Sequence, residues 1–203
     1  MKKYVNLFVF VFMIGACLSQ GRAQTKSAVS YKNPVVDIAM PDPTVIKATD
    51  GYFYVYATES TRNVPIMKSK DLVEWTYCNT AFTNKTRPRF EPKAGIWAPD
   101  INYINGKYVL YYAMSVWGGE QTCGIGVATA DSPQGPFTDH GKMFRSNEIG
   151  VQNSIDPSLL QYEGRNYLVW GSFRGIYVIE LTADGLSIMP GAKKKRIAGT
   201  AFE

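Results

Sequence analysis

Three acidic residues stand beside prolines at the head of similar segments: Pro41-Asp42-Pro43, Pro99-Asp100 and Asp156-Pro157. Each precedes a glycine-led, tyrosine-rich run. These are Gly51-Tyr52-Phe53-Tyr54-Val55-Tyr56, Gly106-Lys107-Tyr108-Val109-Leu110-Tyr111 and Gly164-Arg165-Asn166-Tyr167-Leu168-Val169. Proline fixes φ and removes a backbone donor, so an Asp-Pro step holds its carboxylate at a strand start in a defined direction. One isolated step of this kind is explained by a turn cap. Recurrence at Asp42 and Asp156, each opening the first strand of its repeat, argues instead for carboxylates that work together. The chemistry open to such a group is proton transfer, with one carboxyl giving a proton while another takes one.

Gly51, Gly106 and Gly164 recur at spacings of 55 and 58 residues. That period fits one four-stranded propeller blade and is too long for a helical solenoid repeat. Period-two alternation rich in Val, Ile, Tyr and Phe predicts strands. The first repeat is expected to use 44–47, 52–58, 64–69 and 75–78. The second uses 101–104, 107–115, 124–129 and 137–138, and the third 158–162, 166–171, 175–181 and 186–189. Asp50-Gly51, Asn105-Gly106 and Glu163-Gly164 supply tight hairpin turns, because glycine accepts the positive φ such turns require. The segments 84–93 and 131–136 are loops by composition, and Lys193-Lys194-Lys195-Arg196 reads as a solvated turn between blades. The fold class is therefore all-β, a β-propeller of which about three blades are present. Blades aim their innermost strands at a shared channel, so equivalently placed carboxylates converge there. Three blades leave unpaired edges and an uncovered apolar face, and the chain is expected to be the N-terminal part of a longer protein.

Hydrophobic residues at 45% and charged residues at 19% describe an ordinary globular domain, placed at residues 33–203. The net charge of +5 draws on Lys2, Lys3 and Arg22 at the N-terminus, and no basic stripe interleaves with the aromatics. Nucleic acid is excluded as a partner on that ground. Residues 1–23 read as a signal peptide: Lys2-Lys3 precedes an apolar run from Val5 to Cys17 that is too short to span a bilayer. Two cleavage readings compete, Gly21-Arg22-Ala23 and the lipobox-like Ile14-Gly15-Ala16-Cys17. Either implies export, to the periplasm, the outer membrane as a lipoprotein, or the medium. A lipid on Cys17 would be the sole tie to a membrane. Cys78 and Cys123 are expected to stay free thiols rather than pair. One histidine and scattered cysteines make no metal site.

Met40-Pro41-Asp42-Pro43, Trp97-Ala98-Pro99-Asp100-Ile101 and Asn153-Ser154-Ile155-Asp156-Pro157-Ser158 together resemble three successive signature segments of family 43 glycoside hydrolases. Gly171-Ser172-Phe173-Arg174-Gly175-Ile176 and the stretch 133–140 are more similar to the endo-arabinanase branch than to the β-xylosidases. The resemblance implies a five-bladed propeller and inverting hydrolysis with three carboxylates. Asp42 would be the base that activates water. Asp156 would tune the acid and help hold the sugar, and Glu203, after Phe202, would be the general acid. Inversion places an acid and a base about 6.5 to 9.5 Å apart on opposite sides of the bond, and a third negative charge keeps the acid protonated near neutral pH. With Glu203 as its last residue the chain is expected to be inactive, because a terminal α-carboxylate and frayed backbone spoil that geometry.

The implied substrate is arabinan or a related arabinose- or xylose-containing plant polysaccharide. Trp97 offers a sugar-stacking ring or, equally, a core position between blades. Asn153, Ser172 and Phe173 are candidate cleft residues, Asp100 reads as a strand cap, and His140 as structural. No cofactor is expected within this chain. The resemblance implies an ion such as calcium near the propeller axis of the full-length protein, with a histidine ligand later than this chain reaches. A competing reading from a different class is a non-catalytic carbohydrate-binding propeller lipoprotein. The related fructan-cleaving enzymes need an Asn before Asp-Pro-Asn-Gly and an Arg before a second Asp-Pro, and neither is present.

Overall fold

The computed structural model describes residues 30–199. Both cleavage readings, Cys17 and Glu203 lie outside the described residues. Twelve strands among those residues form three four-stranded antiparallel sheets, each laid out in chain order. The first holds β1 (Thr44–Lys47), β2 (Phe53–Tyr56), β3 (Pro65–Ser69) and β4 (Trp75–Thr80). The second holds β5 (Gly95–Ile104), β6 (Lys107–Ser115), β7 (Gly124–Ala130) and β8 (Thr138–Arg145), followed by a single helical turn α1 (Ser146–Ile149). The third holds β9 (Ser158–Tyr162), β10 (Arg165–Ser172), β11 (Gly175–Leu181) and β12 (Lys195–Ala198). The first strands lie together, β1 against β5 and β5 against β9.

The turns follow from their residues. Ile104 pairs with Lys107 and Tyr162 with Arg165, which leaves two-residue loops at Asn105-Gly106 and Glu163-Gly164. All four residues have positive φ, the requirement of a type I′ turn. Burial explains why the middle sheet is so apolar. Along β6, Leu110, Tyr112 and Met114 pack with Tyr54 and Tyr56 of the first sheet and with Phe82 just after it. Val109 and Tyr111 face the other way, onto Leu168, Trp170 and Ile179 of the third. A strand buried on both faces gains from apolar residues at every position rather than at alternate ones.

Three expectations are corrected. The third sheet closes with Lys195–Ala198 and not with 186–189, which contributes only a bridge from Ile188 to Leu181. Two residues of the 193–196 basic run are consequently strand residues on the sheet's outer edge, where a charged Lys discourages further strand pairing. The fourth strand of the second sheet also runs on to Arg145. Cys78 and Cys123 are both free. No helix among the described residues is long and apolar enough to cross a membrane.

Candidate active site

The residues ahead of the three prolines define the site. Asp42, Ala98 and Asp156 all have positive φ, at 49°, 38° and 55°. Holding non-glycine residues there costs energy that surrounding structure must offset, and such strain gathers at functional sites. The match also corrects the register read from sequence. In the second sheet the counterpart of Asp42 and Asp156 is Ala98, and Asp100 sits two residues further along. A bulge between Trp97 and Asp100 hides this shift. Two of the three equivalent positions therefore carry carboxylates, and both line one cleft of about 750 Å³.

Thr58 fixes Asp42. Its N–H donates to the Pro41 carbonyl at 2.9 Å. Its hydroxyl oxygen accepts the Ala98 N–H at 2.7 Å and lies 2.7 Å from Asp42 Oδ2. A backbone N–H can only donate, so the one hydroxyl proton is left for the carboxylate. In the third sheet Gly171 takes the place of Thr58, its N–H donating to the Ile155 carbonyl at 2.9 Å. Gly171 has φ 143°, and a Cβ there would stand 2.1 Å from the Gly175 carbonyl oxygen. Asp156 consequently has no matching hydroxyl donor. The protein packed around it strips hydration from its carboxyl and pushes its pKa up, and the charge on Asp42 adds to the rise. Both carboxylates line the same cleft, which is the geometry in which one charge disfavours another.

Trp97, Asn153, Ser172 and Phe173 line the same cleft. Trp97 packs on Trp117, with ring centroids 5.5 Å apart and planes at 50°. Gly95 makes room for this, since a Cβ there would meet Trp97 Nε1 at 2.4 Å. Trp117 is 95% exposed, an unusual position for the largest apolar side chain and a sign of a surface kept for a ligand. Phe173 is 58% exposed, and the Arg174 guanidinium covers its ring at 5.0 Å. Arg174 in turn pairs with Glu120 at 3.1 Å. The backbone N–H of Asn153 donates to the Glu120 carbonyl at 2.7 Å, which ties the Asp156 loop to the loop after β6.

Two glutamates line the cleft, and both are committed to other partners. Glu59 pairs with Arg87 and accepts the N–H groups of Asn63 at 2.8 Å and Ile96 at 3.0 Å. Burial alone would raise its carboxyl. The guanidinium and the two N–H groups outweigh burial and hold it below the ordinary range. Glu120 accepts Gln152 Nε2 at 2.6 Å as well as Arg174. Asp100 is not in the cleft: its Oδ2 accepts the Leu159 N–H at 2.8 Å and Asn102 Nδ2 at 2.7 Å. His140 lies 2.7 Å from the Thr129 hydroxyl, away from the cleft. Among the described residues no group of three or more His, Cys, Asp or Glu could hold a metal ion.

Residues 31–203 match the family described as glycosyl hydrolases family 43. The chain belongs to that family. Among family 43 proteins it is similar to extracellular endo-alpha-(1->5)-L-arabinanase 1 of Bacillus subtilis (strain 168), at 38% identity over 140 residues. That match covers 65% of this chain and 43% of the relative. It is also similar to the alpha-L-arabinanase of Cellvibrio cellulosa solved with arabinohexaose, with a TM-score of 0.69 and 27% identity, covering 80% of this chain and 54% of that one. An exo-1,5-alpha-L-arabinanase from a bovine ruminal metagenomic library gives a TM-score of 0.65 and 29% identity, covering 81% and 57%. The chain thus spans about half the length of these family 43 relatives.

Sequence reasoning missed Thr58, Glu59, Trp117 and Glu120. One signal was available. Trp117-Gly118-Gly119 is an aromatic residue in a glycine-bearing loop after a strongly apolar strand, where no core can use it. The other three act through partners 28 to 54 residues away or on a neighbouring sheet, and nothing local marks them.

Proposed function

We propose that this chain carries the water-activating side of an inverting glycosidase that acts on arabinan or a related arabinose- or xylose-containing polysaccharide. In this reading its three sheets are the first blades of a five-bladed propeller. The observation that carries the reading is that Asp42 and Asp156 line one cleft edged by Trp97, Trp117 and Phe173. Asp42, held by the Thr58 hydroxyl, takes a proton from water as the water oxygen bonds to the anomeric carbon. The general acid gives its proton to the departing glycosidic oxygen. Glu59 and Glu120 are tied to Arg87 and Arg174; the resemblance to family 43 makes Glu203, outside the described residues, the candidate for that acid. Asp156 supplies the negative charge that keeps the acid protonated and accepts hydroxyls of the bound sugar. Trp97, Trp117 and Phe173 give apolar faces for sugar C–H groups.

The relatives' names support an arabinan substrate, and the word extracellular in the Bacillus relative's name supports export. The test is the configuration of the product. Purified full-length protein is incubated with debranched arabinan, and proton NMR follows the first reducing ends released. The anomer opposite to that of the cleaved bond is expected. Initial release of the same anomer, or no release, would overturn the proposal.

A further inference from the structure

Asp100 lies outside the cleft, yet together with Ile101 it meets the strands that follow both cleft carboxylates. Thr44 opens β1 two residues after Asp42, and its Oγ1 accepts the Ile101 N–H at 3.4 Å. Asp100 itself accepts the N–H of Leu159, in β9 and three residues after Asp156, at 2.8 Å. Asn102 Nδ2, at 2.7 Å from the same oxygen, anchors the carboxylate to its own strand β5. The Asp100-Ile101 step of the middle sheet thus holds the first strand of each neighbouring sheet, β9 through the Asp100 carboxylate and β1 through the Ile101 N–H, close to the two residues whose separation matters. Apolar packing between sheets is non-directional. Hydrogen bonds to a charged, largely buried acceptor fix distance and direction and are roughly twice as strong as neutral ones.

We infer that Asp100 is a positioning residue that sets the separation of Asp42 and Asp156 through this three-sheet clasp. The inference deepens the hydrolase reading, since that separation governs whether water and sugar fit between base and partner. Its test does not require turnover. The other acidic groups lining the cleft, Glu59 and Glu120, are held by Arg87 and Arg174, so Asp42 is the charge that bears on Asp156. The coupling between the two therefore reports their separation.

The experiment is an NMR titration of the Asp156 carboxyl carbon, with and without Asp42→Asn, in the native protein and in Asp100→Ala. In the native background Asp42→Asn is expected to lower the Asp156 midpoint. In Asp100→Ala that drop is expected to shrink roughly twofold or more, because Coulomb energy falls with distance and with admitted water. Asp100→Asn, whose Oδ1 can still take the Leu159 N–H, should restore most of it. If Asp100→Ala does not fold, Asp100→Leu, whose apolar side chain fills the site without accepting the Leu159 N–H, takes its place and should show the same shrinkage. A merely structural Asp100 would lower Tm and leave the coupling intact. An undiminished drop in a folded variant overturns the inference, whereas failure to hydrolyse arabinan with Asp100-dependent coupling overturns only the hydrolase reading.

Discussion

If Asp42 is the base of the proposed hydrolysis, Asp42→Asn in the full-length protein is expected to lower kcat about a hundred- to ten-thousandfold, the range spanned by loss of a positioned general base. The substitution isolates proton transfer from architecture. Asparagine keeps an oxygen that can accept the Thr58 hydroxyl, so the link from Thr58 to the Ala98 N–H survives, and the chain geometry at φ 49° suits asparagine well. What disappears is the ability to take a proton from water. Affinity for arabino-oligosaccharides should change little, because the aromatic faces of Trp97, Trp117 and Phe173 are untouched. Calorimetric titration of an oligosaccharide alongside turnover of debranched arabinan separates the two effects. Retained turnover would remove Asp42 from the reaction. Lost affinity with unchanged kcat would make it a binding group.

Arg87→Ala is expected to destabilise the fold by about 3 to 5 kcal/mol, the usual cost of leaving one member of a buried ion pair alone. Arg87 and Glu59 side chains are only 7% and 10% exposed. Arg87 also donates to the Ala94 carbonyl at 2.8 Å and to Asn63 Oδ1 at 3.2 Å, so its loss orphans several acceptors at once. The pH dependence should weaken. With Arg87 present the Glu59 carboxyl titrates below its unfolded value, so it contributes stability above the unfolded pKa that is lost as pH falls through the folded one. Without Arg87 the N–H groups of Asn63 and Ile96 alone oppose burial, so that loss at low pH shrinks. Urea unfolding at several pH values, read as a shift of midpoint at constant slope, checks both the size and the weakening. A loss under about 1 kcal/mol would match a surface pair and contradict the account. The consequence reaches the cleft, because Glu59 adjoins Thr58 and accepts the Ile96 N–H beside Trp97.

Features written locally were legible in the sequence. Asp42 and Asp156 stand out because proline marks their strands, and the turns at Asn105-Gly106 and Glu163-Gly164 are fixed by residues that tolerate positive φ. Features that arise between sheets were not. Asp100 was aligned with the wrong neighbours because a bulge in β5 moves the equivalent position to Ala98. The last strand was placed on the alternating apolar residues 186–189, while the actual outer strand is the basic Lys195–Ala198. At an exposed edge, backbone pairing with β11 matters more than side-chain polarity. Thr58 carried no sign of its role, since its importance comes from meeting Ala98 forty residues later.

The central claim is that Asp42 and Asp156 act on one another in a single cleft, and a carbon-detected pH titration of Asp156 in native protein and in Asp42→Asn tests it most directly. The account predicts a native midpoint above the ordinary aspartate value, with stability falling as pH rises between the unfolded and folded values. It also predicts a clear downward move of that midpoint when the charge at residue 42 is removed. An Asp156 midpoint that is ordinary, and indifferent to residue 42 in a folded variant, would contradict it.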